Sequence, residues 1–171
     1  MAKKSLAEGQ LYRPNHSLIS AMPQSISNII IHLVFSTKDR KACLDEETLP
    51  KLHAYLATTA RDQGWECYRV GGVADHVHLA LRQPRTGTLS DFTGHIKRTS
   101  TAWLREQGEH FYKFHWQQGY GAFSVSVSHL DALITYVQNQ KEHHRTQTFQ
   151  DEFRVFLKKY SIDFDERYVW D

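Results

Sequence analysis

The stretch DHVHLALR, residues 75–82, alternates between two kinds of side chain. His76 and His78 occupy every second position, and apolar residues stand at Val77, Leu79 and Leu81. Because successive side chains of a β-strand point to opposite faces of its sheet, the alternation predicts a strand whose two histidines share one face. Two neighbouring imidazoles can bind one metal ion. The alternative is a pair of surface histidines, since a chain with 11 histidines contains such pairs by chance.

Further strands are expected on both sides of this stretch. Residues 28–36 are rich in Ile and Val, and residues 65–70 form another short run bounded by glycines. Gly71-Gly72 predicts a turn or bulge before the histidine strand. Residues 110–127 contain many aromatic side chains and the break Gly119-Tyr120-Gly121, which predicts a hairpin or an irregular strand pair.

Apolar residues recur at helical spacing in four other segments. The first helix is expected from a cap at Asp45 to Gly64, and the second from the pair Thr88 and Asp91 to Gly108. A third helix is expected from Ser128, and an amphipathic helix over residues 149–160. The order of elements predicts an α+β fold with an antiparallel sheet flanked by helices. We expect a flexible arm over residues 1–24 and a single domain over residues 25–171 that ends in a helical extension.

Composition excludes several classes of protein. With 40% hydrophobic and 23% charged residues among 171, the chain is typical of a globular protein. The longest apolar run, residues 29–35, is too short to span a bilayer, and the N-terminus has no secretory signal pattern. Cys43 and Cys67 are too far apart for a paired-cysteine zinc motif, and they predict reduced thiols in the cytoplasm. A net charge of +2 is only weak support for nucleic-acid binding.

Tyr136 and Gln140 form a second pattern, on the expected third helix. They stand four residues apart and would be neighbours on one helix face. A metal held by two histidines and an amide oxygen would keep positions open for phosphate oxygens. A tyrosine one turn away would lie beside that phosphate, where a cation favours the phenolate. The alternative is a tyrosine at the edge of the core with a solvated hydroxyl.

Together these patterns resemble the single-tyrosine HUH transposases of small insertion sequences and their relatives associated with repetitive extragenic palindromes. His76-Val77-His78 resembles the histidine motif of that family, and Tyr136 with Gln140 resembles its Tyr-x-x-x-Gln motif. The resemblance extends from about residue 28 to the end of the chain. It includes HLVFSTKDR at residues 32–40, GGVAD at 71–75, Ile96-Lys97 and WQQGY at 116–120. The final part, with Glu142-His143-His144, resembles only a subgroup. Arg98 stands where many relatives have glycine.

The resemblance implies a ferredoxin-like or RRM-like sheet and cleavage of single-stranded DNA near hairpins, with Mg²⁺ or Mn²⁺ as the cofactor. Tyr136 would be the nucleophile, and His76, His78 and Gln140 would be the metal ligands. The DNA 5′-phosphate would stay on Tyr136 as phosphotyrosine until a second 3′-hydroxyl displaces it. In many relatives the enzyme is a homodimer, and the tyrosine helix of one subunit completes the other's site. The sequence of this chain does not determine which subunit supplies Tyr136. Two alternatives are a domesticated relative that processes repeats and a non-catalytic nucleic-acid-binding module.

Weaker candidates for DNA contact are basic and aromatic side chains. Each basic residue is either a phosphate contact or ordinary surface, and the aromatic pair is either a base-stacking platform or core. These candidates are Lys38, Arg40, Lys97, Arg98, Trp116 and Tyr120. His143 and His144 are expected at the surface of a helix end, with a ligand or proton-transfer role as the alternative.

Overall fold

The computed structural model describes residues 25–166, and the expected N-terminal arm lies outside them. Four strands form one antiparallel sheet in the order β2-β3-β1-β4. The strands are β1 (Ile29–Ser36), β2 (Glu66–Val73), β3 (His76–Gln83) and β4 (Gly121–Val125). The helices are α1 (Thr48–Asp62), α2 (Leu89–Arg105), α3 (Leu130–Gln138), α4 (Gln140–His143) and α5 (Phe149–Lys159). This order of strands and helices confirms the predicted ferredoxin-like α+β fold.

Helices cover both faces of the sheet. On one face, alternate residues of β1 and β3 join a core with α1 and α2 that includes Leu33, Leu79, Leu56 and Ile96. On the other face, the remaining residues of the same strands lie under α3, α4 and α5, where Ala80 packs with Val137 of α3. The two central strands, β1 and β3, are therefore buried on both faces.

The predicted starts of α1 and α2 agree with the hydrogen bonds. The start predicted at Ser128 is wrong, because α3 begins at Leu130 and no side-chain hydrogen bond caps it. Thr88 Oγ1 accepts the backbone N–H of Asp91 at 3.0 Å, and Asp45 Oδ1 accepts that of Thr48 at 2.7 Å. Regular α1 geometry begins only at Thr48, because residues 46 and 47 form a turn. Thr148 Oγ1 caps α5 in the same way, accepting the N–H of Asp151 at 3.2 Å. These caps satisfy donors that a helix cannot satisfy itself.

The predicted turn at Gly71-Gly72 is wrong. Both glycines lie inside β2, opposite His78 and Val77 of β3, and the turn follows at residues 74 and 75. The glycines serve close packing, since a Cβ added to Gly71 would lie 1.9 Å from the backbone oxygen of Val137. Only a residue without a side chain lets α3 approach β2 this closely.

Two other local predictions are also wrong. Residues 110–127 contain one regular strand, β4, and an isolated bridge between Thr37 and Trp116, instead of a hairpin. The helix that carries Tyr136 ends at Gln138, and a break at Asn139 (φ −95°, ψ 17°) separates it from the four-residue α4. Tyr136 and Gln140 therefore do not share one continuous helix.

Candidate metal and nucleophile site

His76 and His78 lie on one face of β3, as predicted, and both are fully buried. The alternative of two surface histidines is therefore wrong. His76 Nδ1 lies 2.6 Å from Asp75 Oδ1, which leaves Nε2 directed into the space beneath α4 and α5. Carboxylates commonly hold metal-binding histidines in this way, fixing the tautomer and the ring orientation.

A third buried histidine, His32 of β1, orients His78. Its Nε2 lies 2.8 Å from His78 Nδ1, and the two rings stack with centroids 5.1 Å apart. Burial, followed by the charge of Lys159, lowers the pKa of His32 to about 4. Burial and the neighbouring histidines lower the pKa of His78 as well. Both rings are thus neutral near pH 7, the form in which imidazole binds a metal.

His32 was not predicted as a site residue, although it belongs to the segment that carries the family resemblance. The detectable signal is its position. It stands between Ile31 and Leu33 in an apolar run, in phase with the alternate residues Ile30 and Val34 that face α3 and α5. A polar residue at a buried position of a central strand is costly without a partner and therefore marks one.

Tyr136 and Gln140 reach the histidines despite the break in their helix. The amide oxygen of buried Gln140 lies 3.4 Å from His76 Nε2. The Tyr136 ring stands edge-on to His78, with centroids 5.8 Å apart. Among the described residues, the Tyr136 hydroxyl is buried and has no hydrogen-bond partner. The geometry therefore brings together all four predicted residues, and it does so within one chain.

The expectation that His144 lies at the surface is wrong. Its side chain is 8% exposed, and its Nε2 lies 3.0 Å from His76 Nε2. Its Nδ1 donates to the carbonyl of Gln147 at 2.8 Å, so the lone pair is on Nε2, toward His76. Burial first, and then His76, lower the pKa of His144 to about 4. His143 is half-buried, with its ring 5.3 Å from that of Tyr136.

Glu152 of α5 is the site residue that sequence reasoning missed entirely. Its side chain is 3% exposed, and its Oε2 lies 3.4 Å from His78 Nε2. Burial, and then the charge of Asp75, raise the pKa of the carboxyl to about 8. The available signal was its spacing, because Glu152 stands three and four residues from Phe149 and Phe156 on the apolar side of an amphipathic helix.

The donors present fit a divalent cation. Nitrogen and oxygen atoms of His76, His78, His144 and Glu152 all lie within 4.8 Å of one another. Two of the buried atoms, His78 Nε2 and Glu152 Oε2, have no hydrogen-bond partner among the described residues. Leaving buried polar atoms without partners is costly, and a bound cation would satisfy both. The arrangement is a candidate metal centre, and it does not by itself identify the ion.

The predicted basic DNA contacts differ from one another in exposure. Lys38 and Arg98 are exposed, and Arg40 is half-buried. Lys97 donates from its ammonium to the carbonyls of Gln117, Gln118 and Gly119 at 2.6–3.2 Å. Burial lowers the pKa of Lys97 to about 8. DNA contact stays a prediction for all four basic residues.

The two predicted aromatic contacts also differ. Trp116 is buried, and its indole N–H donates to Ser100 Oγ at 2.9 Å. This contact places Trp116 in the core, the alternative considered for it. Tyr120 is 41% exposed, with the Lys97 ammonium 5.7 Å from its ring centroid. Of the pair, Tyr120 is the exposed one, and base stacking stays a prediction for it.

Comparison with known proteins places these features in a family. Two solved structures share the fold. A candidate transposase from Deinococcus radiodurans is 23% identical, with a TM-score of 0.55, over 71% of this chain and 98% of its own. A REP-associated tyrosine transposase bound to a REP hairpin is 15% identical, with a TM-score of 0.54, over 74% of each chain. No match was found among curated proteins.

No helix within residues 25–166 is both long and apolar enough to cross a membrane. The family described as "Transposase IS200 like" matches residues 25–140, which include β1 to β4, both histidines of β3, Tyr136 and Gln140. More than half of the chain is covered by this match. The chain therefore belongs to the IS200-like transposase family.

Proposed function

We propose that this transposase is a metal-dependent endonuclease and strand transferase for single-stranded DNA, with Tyr136 as its nucleophile. The observation that carries the proposal is the buried Tyr136 hydroxyl, which has no partner among the described residues and lies on a ring edge-on to His78. A hydroxyl held without a partner costs free energy, and active sites are where such costs are retained. A purely structural tyrosine would be expected to donate a hydrogen bond or to reach solvent.

In the proposed reaction, the Tyr136 oxygen loses its proton and forms a bond to a DNA phosphorus. The bond from that phosphorus to the 3′ oxygen breaks, and this oxygen takes up a proton to become a 3′-hydroxyl. The 5′-phosphate stays on Tyr136 as a phosphotyrosine. Because one phosphodiester replaces another, a second 3′-hydroxyl can reverse the attack and join strands without ATP.

Mg²⁺ or Mn²⁺ would be held by His76, His78 and Gln140, and would supply positive charge for the phenolate and the phosphate. The protein's own contribution is orientation. Asp75 and His32 each hold one of the two histidines by the ring nitrogen that points away from the site. A rigid set of donors costs little reorganisation when charge develops on the phosphate.

The proposed substrate is single-stranded DNA that contains hairpins. The REP-associated tyrosine transposase that shares this fold is bound to a REP hairpin. A homodimer remains a prediction, and the arrangement of the single chain bears on it. Tyr136 lies beside His78 of its own chain, so we propose that one subunit can supply the complete site. Mixing Tyr136→Phe with His76→Ala subunits should then restore no cleavage, whereas recovery would indicate a shared site.

The decisive experiment compares the wild type with Tyr136→Phe on hairpin DNA that has single-stranded flanks, in Mn²⁺. We expect the wild type to form a covalent adduct on denaturing gels and the variant to form none, because no other atom there can accept the phosphate. Blunt duplex should give no adduct. Stability should change by no more than about 1 kcal/mol, since the lost hydroxyl has no partner among the residues that the structure describes.

Two outcomes would contradict the proposal. An adduct that persists in Tyr136→Phe would point to another nucleophile, and Tyr120 would be the next tyrosine to replace. Hairpin binding by the wild type without any adduct would indicate the alternative, a nucleic-acid-binding module. Tyr112→Phe is the matched control. Because Tyr112 is 75% exposed, this variant should form the adduct at the wild-type rate.

A further inference from the structure

Helix α5 brings a carboxylate into the histidine site from outside the family match, which ends at residue 140. Glu152 stands in the first turn after the Thr148 cap, on the side of α5 that buries Phe149 and Phe153. A charged residue on the buried side of a helix is destabilising unless it is paired. The residues that face Glu152 from the other elements therefore indicate its role.

The two carboxylate oxygens face different partners. Oε1 accepts from the Gln140 amide at 3.3 Å and lies 3.4 Å from both His143 Nε2 and His144 Nε2. Oε2 faces the sheet, 3.4 Å from His78 Nε2 and 3.9 Å from His76 Nε2, and has no hydrogen-bond partner within residues 25–166. Neither Lys nor Arg is among these neighbours. One oxygen is thus positioned by α4, while the other is directed at the two histidines of β3.

The spacing of the unpaired atoms matches that of ligands on one ion. Nitrogen and oxygen ligands lie about 2.0–2.2 Å from a Zn²⁺ ion, which puts neighbouring ligands of a tetrahedral site roughly 3.4 Å apart. Glu152 Oε2 and His78 Nε2 are separated by 3.4 Å. Both atoms are buried and make no hydrogen bond to the part of the chain that the structure describes, so a cation between them would remove two unsatisfied groups at once.

We propose that Glu152 binds the same divalent ion as His76 and His78, so that the ion ties helix α5 to the sheet. This inference rests on the proposed metal-dependent function and adds a ligand from a part of the chain that the family match does not include. With His144 beside it, the site offers three imidazole nitrogens. Imidazole suits Mn²⁺ better than Mg²⁺, which prefers oxygen ligands, so the site should bind Mn²⁺ more tightly than Mg²⁺.

The test is Mn²⁺ binding to protein stripped with a chelator, measured by the electron paramagnetic resonance of free Mn²⁺ and by the rise in Tm on adding the ion. We expect Glu152→Gln to weaken Mn²⁺ binding at least about tenfold and to reduce the rise in Tm. Without metal, its Tm should equal or exceed that of the wild type, because the amide keeps the shape and removes a buried ionisable group. The wild type should bind Mn²⁺ at least about tenfold more tightly than Mg²⁺.

Glu142→Gln is the matched control, because it makes the same charge change at a carboxylate that is 75% exposed on α4. It should bind Mn²⁺ like the wild type. His76→Ala separates the two proposals. Loss of binding in His76→Ala with wild-type binding in Glu152→Gln would overturn the role of Glu152 and leave the proposed function intact. A wild type that binds no Mn²⁺ would overturn both.

A purely structural Glu152 has a different signature, since Glu152→Gln would then lower Tm equally with and without Mn²⁺. That result would also overturn the inference. If Glu152→Gln does not fold, amide hydrogen exchange of the wild type provides the answer. Mn²⁺ should slow exchange in α5 more than in α2, which does not contact the site, and equal exchange with and without the ion would overturn the proposal.

Discussion

The two faces of β3 are equally buried and chemically opposite. Toward α1 and α2 the strand presents Val77 and Leu79, and toward α4 and α5 it presents His76 and His78, all with no exposed surface. The apolar face is closed by packing alone. The histidine face retains buried nitrogen and oxygen atoms without partners. Burial therefore does not distinguish the two faces of β3, whereas the unsatisfied His78 Nε2 does. Outside the site, His53 Nε2 of α1 is also buried without a partner among the described residues.

This contrast assigns two tasks to one strand. Side chains on the apolar face contribute by removing hydrocarbon from water, at roughly 25 cal/mol for each Å². Side chains on the histidine face cost free energy to bury. Hydrogen bonds with Asp75 and His32 offset part of this cost, and a bound ligand would offset more. Substitutions on the two faces should thus separate stability from activity.

The largest expected effect is the loss of cleavage in His76→Ala. Loss of a residue that merely orients a ligand typically costs 10- to 100-fold, so loss of a ligand should cost more than about 100-fold. Adduct formation on hairpin DNA in Mn²⁺ measures the effect, and circular dichroism checks the fold. Cleavage at the wild-type rate would refute the assignment of His76.

Leu79→Ala completes the pair, because it changes the opposite face at the residue next to His78. It should lower the free energy of unfolding by about 2–5 kcal/mol, since it removes a fully buried side chain and leaves a cavity. Measured by urea unfolding, this loss should exceed that of His76→Ala. The folded fraction of Leu79→Ala should still bind Mn²⁺, and failure to do so would show that the two faces are not separable.

A smaller effect on activity is expected from Gly71→Ala. The new Cβ would lie 1.9 Å from the backbone oxygen of Val137, so α3 must shift and move Tyr136 with it. Displacement of a reacting group by about 1 Å can cost roughly 100-fold, and we expect a loss of at least about tenfold in adduct formation. Single-turnover cleavage under saturating hairpin measures it.

Gly64→Ala is the control for that substitution. Gly64 has φ +77° at the end of α1, and its added Cβ would meet no atom within 4 Å. It should cost about 1 kcal/mol in stability through the left-handed backbone alone, and leave the rate of adduct formation unchanged. Equal rate losses in both variants would mean that the contact between Gly71 and α3 does not position Tyr136.

The smallest expected effect is on stability in acid, in a variant of His53. This histidine lies on α1 and is not among the candidate metal ligands. Burial, and then the charge of Arg69, lower the pKa of His53 to about 4, whereas the unfolded chain has the ordinary value of about 6.5. A lowered folded pKa means that stability is complete above pH 6.5 and falls as the pH decreases toward 4. His53→Gln should therefore reduce the loss of unfolding free energy between pH 7 and pH 5, as measured by urea titration in chelator.

His32 and His144, both with pKa values of about 4, should cause part of the same acid destabilisation. Mn²⁺ binding at pH 7 should be unchanged in His53→Gln, because His53 lies on α1 and is not among the candidate ligands. A variant with the same pH dependence as the wild type would show that His53 is solvated as a free histidine would be.

Local sequence was sufficient where one element determines the outcome. The alternation of residues 75–82 predicted β3 and the shared face of His76 and His78, because side-chain direction in a strand depends only on position. Thr88 and Asp91 predicted the start of α2, because a capping box is formed within four residues. The motif that resembles the IS200-like family also identified Tyr136 and Gln140, which the fold brings to the histidines.

Only the tertiary structure decided which distant residues complete the site. Gly71-Gly72 predicted a turn or bulge. The reason for a glycine there is the close approach of α3, which the sequence of β2 does not indicate. His144 was expected at the surface and Glu152 was not predicted at all, since their burial arises only when α4 and α5 fold over the sheet. Periodicity reports the face of an element on which a side chain stands. Which other helix or strand packs against that face depends on segments far apart in the chain. The chemistry of the site depends on the same packing.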